Sequence, residues 1–432
     1  MAVERKILNR KIIPKIKGNF HLHKIHVLIG SRQVGKTSII KYIEKELHNT
    51  IYLDLDRAAD LSMFESVDHF IRYIAAHRQN DAEKVTVFVD EFQRLPVAGK
   101  LFKAVHDHYS DIRLVLSGSS SLNIMKSLDE SMAGRKRVYH VYPLDFEEFL
   151  YFQSNRYHDY YCKTEDYEVV PGVFPELSHQ FEVFAQMGGY PGISLLNNHK
   201  ERVDELNEIV QSYIEKDIRS FTKIENILTF NKLLRRLSLN IGGLLNLQTL
   251  KTDIGINREY LEKHLLLLKN TFIIDLVEPF YKNKVNELKK MPKLFFFDNG
   301  IRNHLILNYQ DLDTRADKGA LVENCVWTEL VKNKSLLEEI KFWRTTTKTE
   351  VDFILISQGS AFPIEVKYRN HVSTIPRAIK SFIETYQSPR AWVITKNQFF
   401  KMKYKACEVI FLPAFFSAKL FKDLIRSTPD SQ

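Results

Sequence analysis

Gly30-Ser31-Arg32-Gln33-Val34-Gly35-Lys36-Thr37 carries two glycines, a lysine and a hydroxyl residue at the offsets of a phosphate-binding loop. The glycines let backbone N–H groups turn inward around phosphate oxygens. Lys36 is placed to reach the β- and γ-phosphates, and the Thr37 hydroxyl to hold Mg²⁺. The preceding residues 25–29 are apolar apart from His26 and read as a short buried strand. Ser38 opens a segment with helical spacing. Strand, glycine loop and helix are the context this motif needs. ATP with Mg²⁺ is the expected ligand, cradled by Gly30, Ser31, Arg32, Gln33, Val34, Gly35, Lys36, Thr37 and Ser38. No Asn-Lys-x-Asp guanine-reading segment occurs, which argues against GTP.

Working outward, Val85-Thr86-Val87-Phe88-Val89 is a β-branched apolar run that ends in Asp90-Glu91. A parallel strand buried on both faces has this composition, and its carboxylates emerge where ligands of open α/β sheets bind. Asp90 is expected to hold Mg²⁺, directly or through water. Glu91 is expected to polarise the attacking water. A third strand, residues 112–117, runs into Gly118-Ser119-Ser120-Ser121. Ser117 or Ser119 is positioned to sense the γ-phosphate, unless the stretch is a plain serine-rich loop. Arg135, in Ala133-Gly134-Arg135-Lys136-Arg137, is either an arginine finger acting on a neighbouring subunit or a solvated basic turn. The first reading requires a homo-oligomer.

The chain of 432 residues has room for two or three domains, and its 44% hydrophobic content suits packed cores. Its 62 basic against 53 acidic residues leave a diffuse formal charge of +9, which favours an anionic partner such as DNA. Cys162, Cys325 and Cys407 are far apart, with no metal-ligand pattern or disulfide framework in their spacing. No apolar run reaches the roughly 18 to 20 residues of a membrane helix, and the first 16 residues lack a signal-peptide core. A cytoplasmic protein with no membrane partner is expected.

The pattern divides the chain into four parts. Residues 1–155 alternate strands and helices as a P-loop ATPase core. Residues 156–224 hold a connector rich in tyrosine and charge, with Pro171 and Pro175, and then a helical lid. Residues 225–293 have the outline of a winged helix, with three helices and a hairpin carrying Lys282, Lys284, Lys289, Lys290 and Lys293. Such a wing can touch DNA phosphates. Residues 294–432 form a second α/β unit.

In that last unit Glu323 falls on a helix, Asp352 on a strand, and Glu365 and Lys367 on the next strand, two residues apart and so on one side of it. Two carboxylates that bind metal, Asp352 and Glu365, with a lysine that positions water and Glu323 approaching from the helix, is the set that phosphodiester cleavage needs. An ion-paired cluster on a sheet surface has the same pattern.

These residues resemble a known family. "GSRQVGKTS" from Gly30, "VFVDEFQRLP" from Val87, "LSGSSSL" from Leu116, "AGRKRVYHVYPLDFEEFL" from Ala133 and "GGYP" from Gly188 look like prokaryotic AAA+ ATPases. These carry a C-terminal domain of unknown function that resembles PD-(D/E)xK nucleases. "KLFFFDNG" from Lys293 and "EVDFIL" with "IEVK", from Glu350 to Lys367, fit that domain. Val351 stands where the nuclease motif has its proline, and no arginine clearly matches the second sensor of AAA+ lids. The resemblance implies an α/β fold: a P-loop AAA+ parallel sheet with a helical lid, a winged helix, and a small restriction-endonuclease-like domain. It implies Mg-ATP at Lys36, Thr37, Asp90 and Glu91. Two functions follow: an ATPase coupled to DNA binding or processing, with or without metal-dependent cleavage, or a nucleotide-driven switch whose nuclease-like domain only binds DNA or a protein.

Overall fold

In the computed structural model, which describes residues 9–95, 98–119, 132–164, 172–218, 227–281, 291–421 and 424, the chain is mixed α/β and divides into two units. One comprises residues 1–142 with 266–272, the other residues 143–265 with 273–432.

The first unit is built on β1 (Ile25–Gly30), β2 (Thr50–Asp54), β3 (Val85–Asp90), β4 (Ile112–Ser119) and β5 (Lys136–His140). They form one sheet in the order β2-β3-β4-β1-β5, and every pairing is parallel. All residues of β1 and β3 are buried, because helices cover both faces of a parallel sheet. Val27, Ile29, Val87, Val89, Leu114 and Leu116 make the centre of this core, closed by Phe70 and Phe102 from flanking helices. Each contributes roughly 1.5–3 kcal/mol by leaving water. Register sets the business edge: Gly30 lies opposite Ser119, and Asp54 opposite Asp90. β5 stops at His140, although the sequence stays apolar or aromatic through Val141, Tyr142 and Leu144. Pro143 has no N–H to continue a ladder, and Asp145 instead caps the helix Phe146–Gln153 in a capping box with Glu148.

The second unit contains β6 (Ile274–Val277) and β7 (Lys293–Phe296), an antiparallel pair, and a six-stranded mixed sheet. That sheet comprises β8 (Glu338–Arg344), β9 (Glu350–Ser357), β10 (Ser360–Lys367), β11 (Arg390–Thr395), β12 (Phe400–Tyr404) and β13 (Cys407–Pro413), in the order β12-β13-β11-β10-β9-β8. The helix Arg377–Tyr386 lays Ile379, Phe382 and Ile383 on Val351, Val393, Val409 and Phe411. The helix Lys318–Asn333 is anchored by Trp327, which stacks on Phe295 at 5.2 Å. The described residues of the connector read from sequence around Pro171 and Pro175 are largely helical. Ser154 caps the helix Asn155–Lys163, and Pro175 sits in the first turn of the helix Phe174–Met187, where its missing N–H costs nothing. Ahead of β6 come the helices Ile227–Leu239, Leu247–Ile254 and Arg258–Asn270. Of the lysines assigned to a wing, Lys282, Lys284, Lys289 and Lys290 lie outside the described residues.

Candidate active site

The C-terminal edge of the first sheet gathers the predicted nucleotide residues. Gly30 ends β1 so close to Val141 that a Cβ there would lie 2.1 Å from the Val141 carbonyl oxygen, so no other residue fits. Gln33 and Gly35 take positive φ (60° and 94°), which folds the loop back on itself. The buried Lys36 ammonium donates to the loop's own carbonyls, Gly30 O at 3.0 Å and Ser31 O at 2.8 Å. Val34 is buried, Arg32 is half-buried, and Gln33 and Ser38 are exposed. Arg10, which sequence reasoning passed over, holds the loop from outside: its guanidinium donates to Val34 O at 2.9 Å and to Tyr142 O at 2.9 Å.

Thr37 Oγ1 donates to Asp90 Oδ2 at 2.6 Å, which links the loop to the end of β3. Tyr52, at the same edge on β2, donates to the same oxygen at 3.1 Å. Ser117 donates to Asp90 Oδ1. This places Ser117 on the carboxylate, while Ser119, opposite Gly30, accepts from Gln93 Nε2 at 3.1 Å. Gln93 also donates to Glu91 Oε2 and so bridges Glu91 to Ser119. Tyr52 lies outside every motif read from sequence, and Gln93, though within the VFVDEFQRLP stretch, was given no role there. Their roles come from strand order, which sequence alone does not display.

Glu91 sits in the left-handed region at φ 54°, a strained backbone of the kind found at functional sites. Burial raises its carboxyl pKa above the usual value, and Asp90 adds to the rise. Lys36, the Gln93 amide and Arg32 pull it back. The Thr37 hydroxyl and Asp90 carboxylate, already in contact, are the hard oxygen donors that Mg²⁺ takes, and the glycine-lined loop fits phosphates.

Arg135 is not brought to this site. It precedes β5, where Lys136 pairs with Ile25 at the start of β1, one strand length of roughly 17–20 Å from Gly30. Its guanidinium is paired with Asp107 at 2.6 Å. An action on the chain's own nucleotide is therefore outside its reach.

The second unit gathers Glu323, Asp352, Glu365 and Lys367, but around a residue assigned elsewhere. Lys293, read from sequence as a wing lysine for DNA phosphates, is instead buried on β7. Its ammonium lies 3.0 Å from Glu323 Oε1, 2.7 Å from Glu350 Oε1 and 3.9 Å from Asp352 Oδ1. Glu350, also missed, takes Arg344 at 2.8 Å on its other oxygen. Asp352 Oδ2 accepts the Val366 backbone N–H at 2.8 Å. Lys367 pairs with Glu365 at 2.5 Å, and Glu365 Oε2 is buried with no hydrogen-bond partner. Burial, reinforced by Asp352, pushes the Glu323 carboxyl up to about 8 and Glu365 up to about 7. Burial opposes the charge on Lys293, yet the surrounding carboxylates raise its pKa. An orphaned Glu365 oxygen and an all-oxygen donor set fit a hard divalent cation. Lys293 already offsets part of the charge on Glu323, Glu350 and Asp352.

Residues 22–150 match the family model described as an AAA domain. Residues 178–313 match one described as Domain of unknown function (DUF8612), and residues 318–415 one described as Domain of unknown function (DUF4143). Fold, site and match together define an AAA-type ATPase domain in the first unit. Among curated proteins the chain is 25% identical to "Uncharacterized protein MJ1544" of Methanocaldococcus jannaschii over 88% of this chain and 82% of that protein. It is 23% identical to an "Uncharacterized protein" of Haemophilus influenzae over 80% of this chain and 82% of that one. A solved Walker-type ATPase of Pyrococcus abyssi is 17% identical, with a TM-score of 0.47, over 70% of this chain and 97% of that one. Among the described residues no helix is long and apolar enough to cross a membrane.

Proposed function

We propose that the chain is a Mg²⁺-dependent ATPase whose nucleotide cycle drives its second unit to act on DNA or a protein partner. The observation that carries the ATPase reading is the Thr37–Asp90 contact beside a glycine loop with a buried lysine. Lys36 exchanges its bonds to Gly30 and Ser31 for phosphate oxygens. Thr37 and Asp90 present oxygens to the ion that accompanies ATP, which neutralises phosphate charge when bound. Glu91, held by Gln93, orients and accepts a proton from water at the γ-phosphate. The test is phosphate release by the wild type beside Lys36→Ala. The reading holds if release requires Mg²⁺ and Lys36, and fails if the two proteins release phosphate equally.

For the second unit a specific observation favours the switch reading over cleavage. Lys293 sits within 3.9 Å of Glu323, Glu350 and Asp352 and offsets part of their charge from within, as an internal ion-pair network does. Cleavage would require that network to open to a divalent cation. The net charge of +9 supports DNA as the anionic partner. DNA incubated with Mn²⁺ and ATP should stay intact with wild type. Cutting that is lost in Asp352→Ala would reverse this choice.

A further inference from the structure

We propose that Glu147, His158 and Cys162 form a binding site for a zinc-class divalent cation, separate from the nucleotide site. The three residues lie on a helical hairpin of the second unit. Glu147 is on Phe146–Gln153, and His158 and Cys162 are four residues apart on Asn155–Lys163, hence on one face. Their donor atoms converge. Cys162 Sγ is 3.4 Å from His158 Nε2 and 3.7 Å from Glu147 Oε1, and His158 Nε2 is 3.9 Å from the same Glu147 oxygen.

Those lengths are close to the edges of a coordination tetrahedron. Bonds of about 2.3 Å to sulfur and about 2.1 Å to nitrogen and oxygen, at tetrahedral angles, put S···N and S···O at about 3.6 Å and N···O at about 3.4 Å. Closing on an ion therefore requires shifts of about half an ångström or less. The second unit's packing holds the hairpin ready for this. Asp145 and Glu148 cap its first helix and Ser154 caps its second. Tyr161, adjacent to Cys162, is fully buried against Phe146 and Phe416. Cys162 is exposed and Glu147 and His158 are half-buried, so an ion has a way in from the Cys162 side.

The donor chemistry selects the ion. One thiolate and one imidazole disfavour Mg²⁺ and Ca²⁺ and favour Zn²⁺ and its neighbours. Three protein ligands leave the fourth position to water or an external group. Binding releases the Cys162 thiol proton to solvent, so affinity rises with pH. Cysteine spacing gave no hint of this, because the third ligand is a glutamate fifteen residues upstream of Cys162.

Cobalt(II) titration of the full chain without nucleotide tests the site, because a cobalt–thiolate bond gives a charge-transfer absorption. Cys325 and Cys407 are buried, so Cys162 supplies the exposed thiolate. The expected result is one cobalt per chain with that absorption, displaced by one equivalent of zinc. Cys162→Ser, at an exposed position, should abolish the absorption while leaving circular dichroism and ATP binding unchanged. Glu147→Gln should keep the absorption and weaken cobalt binding about tenfold or more. No thiolate absorption in the wild type, or absorption that survives Cys162→Ser, overturns the proposal.

Discussion

Thr37 and Asp90, 53 residues apart in the chain, are joined by a 2.6 Å hydrogen bond from hydroxyl to carboxylate. The bond ties the phosphate loop to the strand that ends in Glu91. Both groups are oxygen donors, and together they would hold an ion that accompanies ATP. Thr37→Ala removes one of them. Mg-ATP binding should weaken roughly 10- to 100-fold, the scale of a hydrogen bond to a charged group. ATP binding in EDTA should change far less. Calorimetry in both buffers checks this, and an equal loss in the two would remove the metal from the account.

Lys293 predicts a stability effect of unusual size for a single lysine. Lys293→Met leaves Glu323, Glu350 and Asp352 without their shared cation. Breaking a buried pair this way costs about 3–5 kcal/mol. Adding Glu323→Gln should recover part of the loss. Urea denaturation of the single and double variants measures both steps, and a single variant within about 1 kcal/mol of wild type would contradict the network.

His26 gives a pH prediction. Its buried ring, with Nδ1 3.0 Å from the Tyr139 hydroxyl, has its pKa lowered to about 4 by burial, with Arg113 and Arg137 adding to the fall. The unfolded chain therefore binds a proton more readily below about pH 6.5. Stability should be full above that value and decline as pH falls toward 4, by at most about 3 kcal/mol from this group. His26→Gln should flatten that part of the profile. Denaturation midpoints across the range decide it, and identical slopes for the two proteins would count against it.

Gly300 and Gly319 form a contrasting pair. A Cβ on Gly300 would lie 2.1 Å from the Met187 carbonyl oxygen, whereas one on Gly319 meets nothing within 4 Å. Gly300→Ala should destabilise by about 1–3 kcal/mol through overpacking. Gly319→Ala, in the first turn of the helix Lys318–Asn333, should stabilise by about 0.4–1 kcal/mol. Thermal melts that show the same sign for both would refute the packing argument.

Local pattern made part of this molecule readable. The loop from Gly30 to Thr37 and the run that ends in Asp90-Glu91 are contiguous, so composition and spacing place them. Asp352, Glu365 and Lys367 were legible because alternation along β9 and β10 fixes their faces. What failed depends on contacts between distant segments. Lys293 looked like a surface lysine until β7 buried it among carboxylates. Strand direction puts Arg135 at the far edge, away from its own chain's nucleotide site, which leaves both the neighbouring-subunit finger and the basic turn standing. The motifs "GGYP" and "KLFFFDNG" proved to be a packing node: Asp298 caps the helix Asn299–Leu305 and accepts the Gly189 N–H at 2.7 Å. β12 was not anticipated, since Phe400–Tyr404 interleaves lysines with its apolar residues and carries little strand signal, and β13 was passed over although Val409 to Leu412 is an apolar run.

The most direct measurement is ATP affinity and turnover in Glu91→Gln. This change keeps the size of the side chain and removes its capacity to accept a proton. Mg-ATP affinity should stay within about threefold of wild type and turnover should fall by about 10²–10⁴-fold. Turnover at the wild-type rate would contradict the assignment of Glu91, and with it the catalytic reading of this edge of the sheet.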